Sequence, residues 1–403
     1  MRRLAVLSLH TSPLAQPGVG DGGGMTVYVH SLSSALARAG IDCDVYTRAW
    51  RPGLAPVVAV EPGFRVHHVS AGPLAPVARE SMPDLVPAFT DNVLAAMLGQ
   101  GRPDLIHANY WLSGVAGHAL KHELGLPLVS TFHTLARVKG EVTAEAYETR
   151  GRAEGEVIGC SDAILASCDD ERAQLERLYD APPSRVEIVP PGVDHEIFAP
   201  GDRARARAAL GLPPGPMLLF VGRIQPLKGV DVAIEAAARL GPGVTLVVVG
   251  GPAGPDGEAE LRRLDHLVAG LHGGARTTFV APQPHAGLTD WYRAADVCLV
   301  PSRSESFGLV ALEAAACGTP VVAAAVGGLP SLFDHGTTGF LVDGGDVAGF
   351  ASCAGRLRGD PVLAARMGVA AARGARRYSW SITAARLRRL YSDLTARDLV
   401  ECR

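Results

Sequence analysis

Two glutamates, Glu305 and Glu313, stand eight residues apart in the run ESFGLVALE. On a helix that interval is about two turns, so both carboxylates fall near one face and can address one ligand. Ionised carboxylates accept hydrogen bonds from hydroxyls at fixed positions, which suits a polyhydroxylated ligand. Gly308 lies where the helix should open, and its missing side chain lets a diphosphate reach the free N–H groups there. Upstream, Arg223 and Lys228 follow the apolar run MLLFV at a strand-to-helix junction. Two cations so placed neutralise a diphosphate leaving group, the arginine bidentately. Lysine occurs only at Lys121, Lys139 and Lys228, so one at such a junction is informative. A sugar nucleotide offers the hydroxyls and the diphosphate together. An isolated E-x7-E would otherwise read as two solvated surface carboxylates.

Near the N-terminus the loop GVGDGGG supplies backbone N–H groups, above all at Gly23 and Gly24, that can contact a phosphate. Gly18, Gly20 and Gly23 also satisfy G-x-G-x-x-G, with Asp42 and Asp44 about where a dinucleotide fold puts its ribose-binding acid. An NAD-dependent oxidoreductase therefore competes. Its fingerprint, though, begins in the turn directly after the strand, whereas Gly18 comes some nine residues after Leu9. Asp42-Cys43-Asp44 imitates a D-x-D metal motif but starts a strand rather than ending one. His118 and His122 are spaced i, i+4 without the glutamate of H-E-x-x-H, and read as ordinary helix residues.

The elements that must position these groups follow a β-α-β rhythm. Residues 3–9 read as a buried strand rather than a leader peptide, residues 25–39 as an amphipathic helix, and residues 42–47 as a second strand. Strand-like runs follow at 64–69, 105–108, 128–131 and 163–166. Two of them end in polar clusters, HANYW at 107–111 and FHT at 132–134, where parallel sheets bind ligands. The Pro- and Gly-punctuated stretch VPPGVDHEIFAP reads as a linker. A second series of strands begins at 217–221 and continues at 245–250, 277–280, 297–300 and 320–324, with a helix from about Phe307. The expected fold is α/β, with two doubly wound Rossmann-like domains facing across a cleft. The first spans residues 1–192, with the segment 381–403 packing back on it; the second spans 193–380.

With 403 residues, 47% apolar and 20% charged, the chain is long enough for two cores. A net charge of −3 gives no drive toward nucleic acid or anionic membrane, and no apolar run reaches a bilayer span. Seven cysteines without C-x-x-C spacing favour reduced thiols and a cytoplasmic location over a disulfide scaffold.

The run from Val300 to Val342 resembles the C-terminal signature of the retaining GT-B glycosyltransferases of family 4 in its first Glu, FGL, second Glu, CGTPVVA and GGLP. HTSPLAQPGVGDGGGMTVYVHSL, NYWLSG, FHTLARVKG and VGRIQPLKG extend the likeness over nearly the whole chain. They resemble the branch of that family that glycosylates D-inositol 3-phosphate in mycothiol synthesis. The resemblance implies a retaining hexosyltransferase with UDP-N-acetylglucosamine as donor and 1L-myo-inositol 1-phosphate as acceptor. It implies catalytic roles for His133, Arg223, Lys228 and Glu305. Donor contacts would fall to His10, Gln16, Pro17, Gly23, Gly24, Gln283, Gly308, Leu309 and Glu313, and acceptor contacts to Asp21, Thr26, Arg79, Tyr110, Thr134 and Arg150. A structural magnesium ion is implied at the backbone around Tyr292, Arg293, Ala295 and Thr319, with no metal required for catalysis; a homodimer is left open. Three positions depart from the family pattern. Thr26 replaces an asparagine, Arg79 a lysine and Gln283 an arginine. A natural-product enzyme using another nucleotide sugar, with an aminocyclitol or thiol acceptor, would vary these same sites. A noncatalytic sugar-nucleotide sensor would keep the donor groups alone.

Overall fold

The computed structural model describes the chain except residues 19, 21, 140–143, 255, 272 and 403 and the side chains of residues 139 and 144–146. Chain contacts divide it into two units. Unit 1 comprises Met1–Ala15, Met25–Pro190 and Trp380–Arg403, and unit 2 comprises Gln16–Gly24 and Pro191–Ser379.

Unit 1 is built on an eight-stranded sheet of β1 (Arg3–Leu7), β2 (Asp42–Arg48), β3 (Val57–Glu61), β4 (Phe64–Val69), β5 (Leu105–Asn109), β6 (Leu128–Thr131), β7 (Ala163–Ala166) and β8 (Val186–Ile188). Their order is β3-β4-β2-β1-β5-β6-β7-β8. All pairs are parallel except β3 with β4. β3, VVAVE, is a half-exposed edge strand whose burial alternates, and sequence patterning misses it. The central strands β5 and β6 are buried throughout, as helices on both faces require. The last helix, Trp380–Leu394, buries Trp380, Thr383, Ala384, Leu387, Tyr391 and Leu394, a stripe at helical spacing. Trp380, Leu387 and Tyr391 join the core that contains Leu4, Val45 and Phe64. Tyr391 Oη also hydrogen-bonds to the buried His107 Nδ1 at 2.8 Å. The chain thus returns to the first unit.

Unit 2 has six parallel strands, β9 (Met217–Val221), β10 (Thr245–Val249), β11 (Arg276–Val280), β12 (Val297–Val300), β13 (Val321–Ala324) and β14 (Phe340–Val342). Their order is β11-β10-β9-β12-β13-β14. In each sheet the strand order reverses once at the centre, between β1 and β5 and between β9 and β12. Such switch points open a crevice at the carboxyl ends of the strands.

Two expectations change. Phe307 stays outside the helix, which runs Leu309–Ala316 because Gly308, at φ 101°, turns the chain just before it. Among the cysteines, Cys160 and Cys402 are joined as a disulfide with Cα atoms 4.6 Å apart, while Cys43, Cys168, Cys298, Cys317 and Cys353 are free. No helix of the described residues is long and apolar enough to cross a membrane.

Candidate active site

In unit 2 the predicted cations and the first glutamate leave the two strands that flank the switch point. β9 ends at Val221 and delivers Arg223, then a 3-10 turn Pro226–Lys228; β12 ends at Val300 and delivers Glu305. Lys228 Nζ lies 2.6 Å from Glu305 Oε2, with both side chains about one-fifth exposed. Ser302 Oγ donates to the same oxygen at 3.4 Å. Backbone packing fixes this pair. Gly229 has φ 68°, and a Cβ there would overlap the Pro301 carbonyl oxygen. On the other side Gly328 N donates to the Glu305 carbonyl at 3.1 Å, and a Cβ on Gly327 would overlap that same carbonyl. The GGLP run therefore serves the loop that carries Glu305.

The Gly-rich segment belongs to the same unit. A Cβ on Gly23 would lie 3.3 Å from Arg223 Nε and one on Gly24 3.6 Å from Leu309, so the glycines let backbone approach the guanidinium. Gln16 Nε2 donates to the Pro282 carbonyl at 3.3 Å beside Pro17, and Gln283 Nε2 to the Ala281 carbonyl at 2.8 Å. Arg223, Lys228, Gly23, Gly24 and Gly308, which precedes a helix N-terminus, collect positive potential suited to a diphosphate.

Glu313 takes a different position from its partner in the E-x7-E pair. Its side chain is turned inward, where Oε1 faces His285 Nε2 at 2.7 Å and Oε2 accepts from Tyr292 Oη at 2.7 Å. Burial works against the His285 imidazolium, but the Glu313 carboxylate outweighs it and raises the pKa. The two carboxylates thus have separate partners, and ribose hydroxyls would meet only the lone pairs of Glu313 left over. His285 is the group that sequence reasoning misses. Tyr292, Arg293, Ala295 and Thr319 supply carbonyl and hydroxyl oxygens and no carboxylate. The Tyr292 carbonyl already accepts from Thr319 Oγ1 at 2.6 Å and Ala295 N at 3.2 Å.

In unit 1 most of the remaining predicted groups gather beyond the ends of β1, β5 and β6. His10 and Tyr110 have ring centroids 5.2 Å apart. The Arg150 guanidinium lies 5.0 Å from the centre of the Tyr110 ring and donates to Thr134 Oγ1 at 3.1 Å and to its carbonyl at 2.7 Å. Its Nε pairs at 2.8 Å with the buried Glu154, which also accepts from Ala136 N at 3.0 Å and from Tyr179 Oη. Glu154 holds Arg150 against Tyr110 and Thr134. His133, at φ 62°, has Nε2 2.9 Å from Asn109 Oδ1, and burial lowers its pKa, which favours the neutral ring. Thr26 is buried on the helix Gly24–Arg38, its Oγ1 without a hydrogen-bond partner among the described residues. Arg79 is exposed on the turn Arg79–Ser81. Asp21 lies outside the described residues, as does the side chain of Lys139.

Asp44, a candidate ribose or metal ligand, is a structural hub. It takes Arg3 Nε, Arg65 Nε and His67 Nε2, each at 2.8 Å. Burial opposes its ionisation, but these three partners outweigh it and hold the pKa low.

Comparison with known proteins agrees with this geometry. Residues 22–197 match the family described as Glycosyltransferase Family 4, and residues 202–373 match Glycosyl transferases group 1. The D-inositol 3-phosphate glycosyltransferase 2 of Catenulispora acidiphila is 47% identical, over 97% of this chain and 95% of that one. The D-inositol 3-phosphate glycosyltransferase of Mycolicibacterium paratuberculosis is 47% identical, over 95% of this chain and 88% of that one. Among solved structures, sucrose-phosphate synthase from Thermosynechococcus elongatus has a TM-score of 0.91 at 35% identity, over 98% of this chain and 100% of that one.

Proposed function

The chain belongs to the glycosyltransferases, with a family 4 N-terminal half and a group 1 C-terminal half on the GT-B fold, and from that membership we propose that it moves N-acetylglucosamine from UDP-N-acetylglucosamine to a hydroxyl of 1L-myo-inositol 1-phosphate. The observation that carries this reading is the meeting of Lys228 with Glu305, 2.6 Å apart at the switch point of unit 2, with Arg223 against Gly23. Arg223, Lys228 and the N–H groups after Gly308 would receive the diphosphate, and Glu305 the sugar hydroxyls. Arg150, Tyr110 and Thr134 would receive the acceptor phosphate. The likeness to curated inositol phosphate glycosyltransferases supports the acceptor.

The acceptor hydroxyl attacks the anomeric carbon on the face from which the diphosphate departs. A new C–O bond forms as the bond to the phosphate oxygen breaks, and that departing oxygen takes the hydroxyl proton, so the anomeric configuration is retained. Arg223 and Lys228 stabilise the charge that grows on the leaving group, and no side-chain base is needed. Neutral His133 can exchange hydrogen bonds with the transferring sugar but cannot act as an acid. No metal enters the reaction. A structural magnesium ion at Tyr292, Arg293, Ala295 and Thr319 would have to displace the Thr319 hydrogen bond. The reaction would run in the cytoplasm, where its nucleotide sugar is made.

The second reading, another nucleotide sugar with an aminocyclitol or thiol acceptor, draws on Thr26, whose buried Oγ1 offers an unused polar atom where the family pattern has asparagine. A thermal-shift screen of UDP-, GDP- and TDP-sugars, followed by turnover with inositol phosphate and with free cyclitols, separates the two. Stabilisation by UDP-N-acetylglucosamine with turnover only of the phosphorylated acceptor is expected. Turnover restricted to unphosphorylated acceptors would support the second reading.

A further inference from the structure

On unit 1 four side chains converge on one point. His118 and His122 lie on one face of the helix Trp111–Leu124, Cys160 ends the helix Ala144–Cys160, and Cys402 comes from the C-terminal tail. One ligand-type atom of each lies within 4.8 Å of all the others. Cys402 Sγ is 3.0 Å from His122 Nε2 and 3.6 Å from His118 Nε2, and Cys160 Sγ is 3.8 Å from His122 Nε2. A zinc ion with Zn–S of about 2.3 Å and Zn–N of about 2.0–2.1 Å in a tetrahedron has sulphur-to-nitrogen edges of about 3.5 Å. The three separations bracket that edge. The Cys160–Cys402 disulfide accounts for the two sulphurs but not for the two imidazoles that face them.

We propose that, once a thiol reductant has opened the Cys160–Cys402 disulfide, His118, His122, Cys160 and Cys402 form a structural Zn²⁺ site in which the two sulphurs serve as thiolates, tying the C-terminal tail to the helices of unit 1. The ligand set is S₂N₂, which selects zinc among common divalent ions, and its two thiolates balance the metal charge. The histidines have the i, i+4 spacing that puts two imidazoles on one side of a helix. The surroundings place the tail. Asp162 accepts from Val400 N at 2.7 Å, two residues before Cys402, and pairs at 2.8 Å with Lys121. Lys121, between the two histidines in sequence, also donates to the Cys160 carbonyl at 2.8 Å. This buried lysine thus links all three ligand-bearing segments.

The test uses the full chain purified under reducing conditions without chelator. Metal analysis should give one zinc per chain, and thiol titration after denaturation should give all seven cysteines reduced. Replacing zinc with Co²⁺ should give the visible bands of a tetrahedral site with thiolate charge transfer. H122A and C402S should each lose the metal on dialysis while retaining the circular dichroism of the parent. Five titratable thiols and no zinc in the parent would overturn the proposal in favour of a disulfide, and so would full zinc retention by H122A.

Discussion

At the scale of single residues, the Lys228–Glu305 pair is the most exposed to test. Lys228→Ala removes one electrostatic donor from the leaving group and should lower kcat by about 10²- to 10³-fold; unchanged turnover with the nucleotide sugar would remove Lys228 from the mechanism. Arg150→Ala should raise KM for a phosphorylated acceptor far more than KM for the donor. It also strands the buried Glu154, a loss of about 3–5 kcal/mol for a broken buried pair. The double variant R150A/E154Q separates the two effects by restoring stability and leaving the acceptor defect. A titration tests His107. Burial pushes its pKa down to about 3, whereas the unfolded chain protonates near the ordinary value of about 6.5. The unfolded state therefore binds more protons below that value, and stability should fall as pH drops from about 6.5 toward 3, by up to about 1.4 kcal/mol per pH unit from this group. Denaturation midpoints that stay flat across this range would contradict the assignment. Groups at the phosphate end are legible in the sequence because cations and glycines beside strand ends have few other uses. The hold of His285 on Glu313 is not, because the two come from separate elements 28 residues apart, and only the packing of their helices joins them.

At the scale of elements, glycine backbone fixes the loops that carry the charged pair. Gly229→Ala should both destabilise unit 2, by about 1–3 kcal/mol for the positive φ alone, and reduce kcat, since a Cβ meets the Pro301 carbonyl beside the Glu305 loop. Wild-type activity and melting in that variant would show that the junction tolerates a shift. The closing helix Trp380–Leu394 makes a separate case. Leu387 is fully buried in the core of unit 1, and Leu387→Ala should cost about 2–5 kcal/mol, read as a lowered unfolding midpoint. Most of the two sheets is legible from continuous apolar runs, which parallel strands buried on both faces must have. The edge strand β3 and the three-residue strands β8 and β14 escape that reading, because each is short or half-exposed and owes its conformation to the neighbour it pairs with.

At the scale of the whole molecule, the candidate groups fall into two doubly wound units. Unit 2 carries the cations, the glycines and Glu305, and unit 1 carries the cluster of Arg150, Tyr110, Thr134 and His133. The Gly-rich segment Gln16–Gly24 lies in the N-terminal half of the sequence yet belongs with unit 2. Sequence order alone hides this, and it also separates the loop from a dinucleotide fingerprint, because β1 ends at Leu7, well before Gly18. Retaining transfer from a nucleotide sugar to an inositol phosphate can be followed in the purified full chain by proton NMR with UDP-N-acetylglucosamine and 1L-myo-inositol 1-phosphate. Release of UDP together with a new anomeric doublet of α configuration coupled to the inositol ring is expected. A β-configured product, or release of UDP without a sugar–inositol linkage, would contradict retaining transfer.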